Sequence, residues 1–406
     1  MPETDFKVYG YRWVILAVYM GVVAVNQLLW ITFAAVTTDA MQFYHVSDLE
    51  IGLLSLSFMV VYIIISFPAS WIIDTYGLRA GVGVGAALTG VFGIIRGLGG
   101  AHYGWVLMAQ IGIAIGQPFL LNAVTTVAAR WFPMKERATA SGLGSLAMFV
   151  GILLGVALTP YLTLAWGIPG MLIVYGILAT VAMFAFFIFA RERPPSPPCP
   201  PEQEQRSLVL DGLSKMIRQR EFIVLLAIFF VGLGIFNAVT TWIEQLLSPR
   251  GFSATQAGVV GGLMILGGIV GALVFPMLSD QMRKRVPFIL MALAGATLGL
   301  AGLTFAGLYG VLLAFSFLFG LFLLSAAPIG FQYAAEITYP APEGTSNGML
   351  LLMGQISGII FILAMDALKS PVNGSMTMPL VVMIALLIVC LLIATRLKEA
   401  PALKTS

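Results

Sequence analysis

The chain has 406 residues, of which 59% are hydrophobic and only 10% charged, with a net charge of +3 and a mean hydropathy of +0.98. Soluble domains are about 45–50% apolar and ~25% charged, so this composition excludes a water-soluble enzyme of this length and a disordered chain. Roughly 240 apolar residues suffice for about twelve bilayer-spanning helices of ~20 residues each. We therefore predict an all-α membrane protein with twelve transmembrane helices.

The spans follow one another along the chain as long apolar stretches separated by short polar loops. They are too long and too uniformly apolar for barrel strands, and lipid leaves no partner for open backbone groups, so each is predicted to be a helix. We place spans 1 to 12 at Trp13–Thr37, Glu50–Ile73, Ala80–Leu98, Tyr103–Ala129, Thr139–Leu164, Ile168–Ala190, Phe222–Gln245, Ala254–Leu278, Val286–Ala306, Leu308–Ile337, Thr345–Leu368 and Met378–Thr395.

A segment rich in proline and charge, Arg191–Glu221, follows span 6 and divides the spans into six plus six. Its prolines exclude a continuous helix, although Leu208–Arg220 is predicted as a short amphipathic helix on the membrane face. We predict an N-terminal six-helix bundle at 1–190, a cytoplasmic linker loop at 191–221 and a C-terminal six-helix bundle at 222–406.

The basic residues set the predicted orientation. All Lys and Arg residues except Arg96, Arg250 and Lys369 fall on one set of alternate loops and termini. Because cytoplasmic loops carry the excess of Lys and Arg, both termini are predicted to be cytoplasmic, and the membrane to be the cytoplasmic membrane.

The two halves repeat one another, which indicates a duplicated six-helix unit. Residues match at an offset of 206 (Asp74 with Asp280, Gly142 with Gly348) or 207 (Pro133 with Pro340). Span 1 contains NQLLWI, with Asn26 and Trp30, and span 7 contains NAVTTWI, with Asn237 and Trp242.

Twelve spans, a long middle loop and D-x-x-G-x-R after span 2 resemble the major facilitator superfamily, whose loop signature is G-x-L-a-D-r-x-G-r-k. The sequence keeps Asp74, Gly77 and Arg79 but has Ser70 at the first glycine, and the second copy has Arg283 in place of the later glycine. The resemblance implies two pseudo-symmetric six-helix bundles around one central cavity. It also implies alternating access to that cavity, which spans 1, 4, 7 and 10 would line.

A closer resemblance, to transporters related to the feline leukaemia virus subgroup C receptor, rests on GFQYAAEITYPAPEGTSNGML (Gly330–Leu350), on Phe58–Arg79 and on the Asn-x3-Trp of span 1. Members of that family are described as carriers of choline or ethanolamine, and earlier as haem exporters. Its choline-pocket tryptophan and glutamine correspond to Trp30 and Gln355. Two further family positions differ, since Phe149 replaces a glutamine and Asn237 replaces a tyrosine.

The candidate substrate-binding residues are polar or aromatic side chains on the four cavity spans, together with Gln355. Polar groups in hydrocarbon need partners, so each is predicted either to contact the solute or to make a helix–helix hydrogen bond. The set is Asn26, Gln27, Trp30, Gln117, Asn122, Asn237, Thr241, Trp242, Gln245, Gln332, Tyr333 and Gln355.

A second set of charged residues at the inner helix ends is predicted to act in gating. Carboxylates there can pair with arginines and face a helix N-terminus, holding an inner gate shut. The alternative is ordinary charged helix ends. The set is Asp74, Arg79, Arg130, Asp280, Arg283 and Glu336, and Glu336 is predicted to contact Arg130 or Arg137, or to take part in ion coupling.

Charge also bears on the solute. Spans 1, 4, 7 and 10 carry no Lys or Arg near mid-membrane, and Arg96 lies near the outer end of span 3, a helix expected to be away from the cavity. A carrier of compact anions would normally keep such a cation. Glu244, with Trp30 and Trp242, can form a vestibule that attracts cations, or belong to an interfacial aromatic belt. A neutral or cationic solute is therefore favoured.

We expect no cofactor and no metal site. Cys199 and Cys390 form no metal-binding motif, and the two histidines, His45 and His102, fall in outer loops, which disfavours haem.

The sequence thus predicts a secondary transporter that acts by alternating access on a small neutral or cationic organic solute, with facilitated uniport as the simplest mode. The alternative is a proton-coupled exporter or importer of another solute, such as a drug, an organic acid or a haem-like molecule. A membrane enzyme would need clustered catalytic groups, and a channel a charged or carbonyl-lined filter. The expected partners are the lipid bilayer and a small-molecule substrate, with no nucleic acid and a monomeric state.

Overall fold

The structure is a computed structural model that describes residues 8–99, 101–196, 216, 218–338 and 343–399. The chain forms two compact units, Met1–Arg206 and Ser207–Ser406. Most of the predicted linker, including the predicted amphipathic helix, lies outside the described residues, so the predicted domain boundaries stay predictions.

The first unit contains spans 1 to 6. Span 1 is the helix Arg12–Ile31, followed by a 3-10 turn, Thr32–Ala35, and a short helix, Thr37–Tyr44. Span 2 is Asp48–Tyr76 and span 3 is Leu78–Leu98. Span 4 is Tyr103–Leu121, followed by the short helix Val124–Trp131. Spans 5 and 6 form the run Met134–Phe189, which Gly167 divides with a left-handed φ of 66°.

The second unit contains spans 7 to 12. Span 7 is the helix Arg220–Thr241, followed by the short helix Ile243–Leu247 and a 3-10 turn at Ser248–Arg250. The remaining spans are the helices Ala254–Met282, Val286–Phe305, Tyr309–Thr338, Glu343–Ala367 and Thr377–Ala394.

Eleven helices among the described residues are long and apolar enough to cross a membrane. One of them, Thr139–Phe189, has 51 residues, about 77 Å at 1.5 Å per residue, which is enough for two crossings. Because Gly167 breaks this run, the prediction of twelve transmembrane helices is confirmed.

The two units begin their second helices in the same way. Span 2 starts with a capping box in which the Ser47 hydroxyl accepts from the Glu50 N–H and the Glu50 carboxylate accepts from the Ser47 N–H. Span 8 starts with the same arrangement of Ser253 and Gln256, 206 positions later. These boxes satisfy backbone N–H groups that otherwise have no partner at the start of a helix. They show that the sequence repeat extends to the local structure.

Small residues allow the helices of each unit to pack closely. A Cβ at Gly151 of span 5 would collide with the Ala24 carbonyl of span 1. In the second unit, a Cβ at Gly320 of span 10 would collide with the Met264 carbonyl of span 8. Backbone contacts of this kind are typical of membrane helix interfaces.

Candidate functional site

The α-helices of spans 1 and 7 both end shortly after a candidate asparagine. The span 1 helix ends at Ile31, five residues after Asn26, and the span 7 helix ends at Thr241, four residues after Asn237. These ends differ from the continuous helices that the apolar stretches predict for both spans. Discontinuous helices leave backbone groups available for ligands or for other parts of the protein, and transporters build binding sites at such breaks.

The amide of Asn26 joins three spans of the first unit. Its Nδ2 donates to Thr89 Oγ1 of span 3 at 3.0 Å and to the Ile113 carbonyl of span 4 at 3.3 Å. Its Oδ1 accepts from Gln27 Nε2 at 3.3 Å. Both amides are buried, so Asn26 makes helix–helix hydrogen bonds, one of the two predicted roles.

Trp30 stands at the last turn of span 1. Its indole N–H donates to the Ser55 carbonyl of span 2 at 3.1 Å, and its side chain is 5% exposed. The guanidinium of Arg96 contacts this same turn, because it donates to the Leu29 carbonyl at 3.0 Å and to Gln110 Oε1 of span 4 at 2.7 Å. Arg96 of span 3 thus contacts spans 1 and 4. Its position near the outer end of span 3 does not predict these contacts.

Asn122 fixes the break in span 4 against span 2. Its Oδ1 accepts from the Tyr62 hydroxyl at 2.7 Å, and its Nδ2 donates to the Ser66 carbonyl at 3.1 Å and to Ser70 Oγ at 2.9 Å. The other candidate on this span, Gln117, is 4% exposed and lies one residue before the in-helix Pro118.

In the second unit, the candidate Asn237 of span 7 contacts the backbone of span 11. Asn237 Nδ2 donates to the Gly354 carbonyl at 3.1 Å, next to the half-buried Gln355. A Cβ at Gly354 would press on Leu233, which shows how closely the two helices pack.

Four further candidates lie at or beyond the end of the span 7 helix or on span 10. Trp242 is fully buried, and its indole N–H donates to the Ile362 carbonyl at 3.1 Å. The buried Thr241 hydroxyl has no hydrogen-bond partner among the described residues. Gln245 donates to Glu244, whose side chain is 2% exposed, at 3.1 Å. Gln332 on span 10 is exposed.

Two of the predicted gating residues of the second unit, Asp280 and Glu336, pair with Arg285, which was not among the predicted gating residues. Its guanidinium pairs with Asp280 and, at 2.9 Å, with Glu336. Burial lowers the pKa of Arg285, but the hydrogen bonds and charges of Glu336 and Asp280 outweigh it, so the pKa lies above its ordinary value. Glu336 therefore has a partner in its own unit, and the predicted contact with Arg130 or Arg137 stays a prediction.

The segment after span 12 completes this cluster. The Glu399 carboxylate accepts from the backbone N–H groups of Arg285 at 3.0 Å and Val286 at 3.0 Å, which caps the start of span 9. The Tyr333 hydroxyl donates to the Lys398 carbonyl at 2.8 Å, so this candidate contacts the C-terminal segment.

The first unit has the same cap. The Glu192 carboxylate, just after span 6, accepts from the N–H groups of Leu78 at 2.9 Å and Arg79 at 2.6 Å, and it pairs with Arg130. Gly77 permits this approach, because a Cβ there would collide with the carboxylate and its φ is 99°. The Asp74 backbone is in the last turn of span 2, while its side chain is outside the described part.

The two caps match at a single offset. Leu78, Arg79 and Glu192 correspond to Arg285, Val286 and Glu399, each 207 positions later. Arg283 has the left-handed φ of 50° at the position of Gly77, and Lys284 is the extra residue that raises the offset from 206 to 207. Neither glutamate was a candidate, yet searching the repeat for acids at this offset could have found both.

The chain is similar to known proteins both in sequence and in structure. The sequence profile of the Major Facilitator Superfamily matches residues 15–362. Solute carrier family 49 member A3 of Xenopus tropicalis is 32% identical over 91% of this chain and 80% of its own length. The choline/ethanolamine transporter FLVCR1 of Mus musculus is 29% identical over 89% of this chain and 71% of its own length.

Solved structures share the fold. A bacterial homologue of the human lysosomal transporter Spinster, crystallised inward-facing and unoccupied, superposes with a TM-score of 0.73, covering 96% of this chain and 98% of its own at 15% identity. The transporter FucP, in the outward conformation, superposes with a TM-score of 0.68 at 16% identity, covering 96% of this chain and 98% of its own.

Proposed function

Because the chain belongs to the major facilitator superfamily, and within it to the family of solute carrier family 49 member A3, we propose that it carries a small neutral or cationic organic solute, similar to choline or ethanolamine. The protein is a multi-pass membrane transporter of the alternating-access type. The identity of the solute, the orientation of the protein in the membrane and the solute-binding residues are proposals.

One observation carries the choice of solute class: the cavity spans have no basic side chain in their central parts. The stretches 13–35, 103–129, 222–243 and 309–335 contain no charged residue. A phosphate or carboxylate would find no basic side chain on these stretches to offset the cost of leaving water. The buried Arg96 of span 3 contacts the end of the span 1 helix, but it donates to oxygens of spans 1 and 4.

One of the charges that border these stretches, Glu244 just after 222–243, is a buried carboxylate. Glu244 follows the span 7 break, and its side chain is 2% exposed. Close to it in sequence lies the buried Thr241 hydroxyl, which has no partner among the described residues. A buried carboxylate with a nearby hydroxyl favours an ammonium group over an anion.

Aromatic and amide groups complete the proposed site. The ring of Trp30 can attract a quaternary ammonium group by about 0.5–2 kcal/mol. An amide such as that of Gln117 or Gln355 can hydrogen-bond the hydroxyl group that choline and ethanolamine share. Named relatives such as FLVCR1 of Mus musculus are choline/ethanolamine transporters, which supports the same class.

We further propose the cytoplasmic membrane as the location, with both termini cytoplasmic, a monomeric state, and transport without catalysis. The distribution of basic residues supports the orientation. The proposed gate comprises Asp74, Arg79, Arg130, Asp280, Arg283 and Glu336, with Arg285 as the central cation of the second unit.

The test is uptake into proteoliposomes. Reconstituted protein should take up labelled choline or ethanolamine, and unlabelled amines should compete while succinate should not. Uptake of dicarboxylates without uptake of any amine would contradict the proposal.

A charge-neutralising variant sharpens this test. Glu244→Gln should weaken choline uptake by about tenfold in KM, equivalent to ~1.4 kcal/mol. The matched control Asp39→Asn, which neutralises an exposed carboxylate on the short helix after span 1, should behave like the unmodified protein.

A second candidate function is proton-coupled transport of another solute, and Glu244 is the observation that favours it. A buried carboxylate can bind and release a proton during a cycle. Under that candidate, an imposed pH gradient would drive uptake in the unmodified protein and fail to do so in Glu244→Gln. Uniport predicts no response to the gradient in either protein.

A further inference from the structure

Arg96 is a fully buried cation at the last turn of span 3. No carboxylate pairs with it among the described residues. Burying an arginine without a counter-ion is costly, so the groups that accept its hydrogen bonds indicate what the residue does.

Those acceptors cluster at the end of the span 1 helix. Arg96 Nη1 donates to the Leu29 carbonyl at 3.0 Å and to Gln110 Oε1 at 2.7 Å, and Nη2 lies 3.5 Å from Thr32 Oγ1. The guanidinium carbon is 5.7 Å from the centre of the Phe33 ring, in the 3-10 turn that follows.

The helix end explains why a cation is held here. The last carbonyls of a helix lack intrahelical donors and carry the negative end of the helix dipole. Gln110 contacts the same helix end, because its Nε2 donates to the Leu29 carbonyl at 3.2 Å and lies 3.5 Å from the Trp30 carbonyl. Arg96 and Gln110 together donate to the carbonyls at which the α-helix gives way to the 3-10 turn.

Trp30 lies inside this arrangement. Its carbonyl is covered by Gln110 and, at 3.5 Å, by Ser55 Oγ, while its indole N–H donates to the Ser55 carbonyl at 3.1 Å. The backbone and the ring of Trp30 are thus fixed from two sides, by spans 3 and 4 on one and by span 2 on the other.

We propose that Arg96 is a positioning residue for the solute site: with Gln110 it holds the break in span 1 and thereby sets the orientation of the Trp30 ring. The inference rests on the proposed function, in which Trp30 contacts a cationic solute. Arginine suits the task because its planar fork reaches several acceptors at once, whereas lysine offers a single ammonium. Arg96→Lys therefore keeps the charge and removes the geometry.

The first test reads Trp30 without any solute. In protein labelled with 5-fluorotryptophan, the ¹⁹F signal of Trp30 is identified by its loss in Trp30→Phe. Arg96→Lys should shift or split that signal and leave the signals of the exposed Trp105 and Trp166 in place. An unmoved Trp30 signal in the folded variant would overturn the proposal.

Arg250→Lys is the matched control. Arg250 also donates to carbonyls at a helix end, those of Leu303 and Ala306, but in the second unit. It should leave the Trp30 signal unchanged. If Arg96→Lys fails to fold, Gln110→Leu makes the same test, since it removes the amide that contacts the Trp30 carbonyl.

The second test uses uptake of labelled choline. Arg96→Lys should raise KM by about tenfold, the loss of one good cation–π contact, with the maximal rate within about twofold of the unmodified protein. An unchanged KM, or a fall in maximal rate alone, overturns the positioning role. If the unmodified protein carries no amine, the proposed function fails, and the ¹⁹F signal still decides whether Arg96 positions Trp30.

Discussion

Asn26 and Asn237 lie five and four residues before the ends of the span 1 and span 7 helices, and both amides donate to backbone or hydroxyl groups of neighbouring helices. The sequence identified these residues because an amide in lipid must find a partner, but it does not distinguish a helix partner from a solute. The Thr241 hydroxyl, by contrast, is buried without a partner among the described residues. Trp30, Thr241 and Gln355 stay proposed solute contacts.

Replacing Trp30 tests the aromatic part of the proposed site. Trp30→Ala should weaken choline binding to the purified protein by tenfold or more, because one cation–π contact of about 0.5–2 kcal/mol and its packing are lost. Trp30→Phe should retain part of the affinity. Trp105→Ala, which removes a ring that is 56% exposed, should bind choline normally. Equal affinity in Trp30→Ala and Trp105→Ala would remove Trp30 from the site.

Replacing a glycine tests the close packing of spans 8 and 10. Gly320→Ala should destabilise the protein by about 1–3 kcal/mol, because its new methyl group meets the Met264 carbonyl. Gly310→Ala, in the first turn of the same helix, has no described atom within 4 Å of its Cβ and should not lower the melting temperature. Thermal unfolding in detergent compares the two, and equal melting temperatures would show that the helices pack differently.

At the scale of helices, the carboxylates that follow spans 6 and 12 each cap the third helix of their own unit. Glu192 covers the N–H groups of Leu78 and Arg79, and Glu399 covers those of Arg285 and Val286. A carboxylate at a helix N-terminus satisfies open donors and opposes the positive end of the dipole. Each cap ties the last helix of a unit to its third.

The two caps should differ in strength. Glu192→Ala removes both the cap and the ion pair with Arg130, whereas Glu399→Ala removes only the cap, since Arg285 keeps Asp280 and Glu336. Losing a cap costs about 1 kcal/mol, and losing a charged partner adds to that. Both variants should lower the melting temperature, Glu192→Ala more than Glu399→Ala. The reverse order would contradict this assignment of partners.

Two features of the whole molecule, the number of membrane helices and the internal duplication, could be predicted from the sequence. The length of its apolar stretches predicted twelve membrane helices, and the offset of 206 or 207 predicted the duplication, because both depend on pattern along the chain. Partners distant in sequence, such as Glu192 with Leu78 or Arg96 with Leu29, follow from tertiary packing and have no local signature. For the same reason the breaks in spans 1, 4 and 7 escaped the sequence analysis.

The candidate site was predictable as a set of residue types and not as a set of contacts. Absence of charge from the central stretches of spans 1, 4, 7 and 10 is a property of the sequence, and it still supports the solute class. The hydrogen bonds of Arg96 and Gln110 to the end of the span 1 helix could not be predicted from the sequence. An arginine near the end of a span is usually assigned to the membrane interface.

The most direct test of the account is counterflow of choline in proteoliposomes without any ion or pH gradient. A carrier that alternately exposes one site for a small cationic solute should accumulate external labelled choline transiently when the liposomes contain excess unlabelled choline. Arg96→Lys should require more choline for the same effect. No accumulation by correctly folded protein, together with counterflow of succinate, would contradict the account.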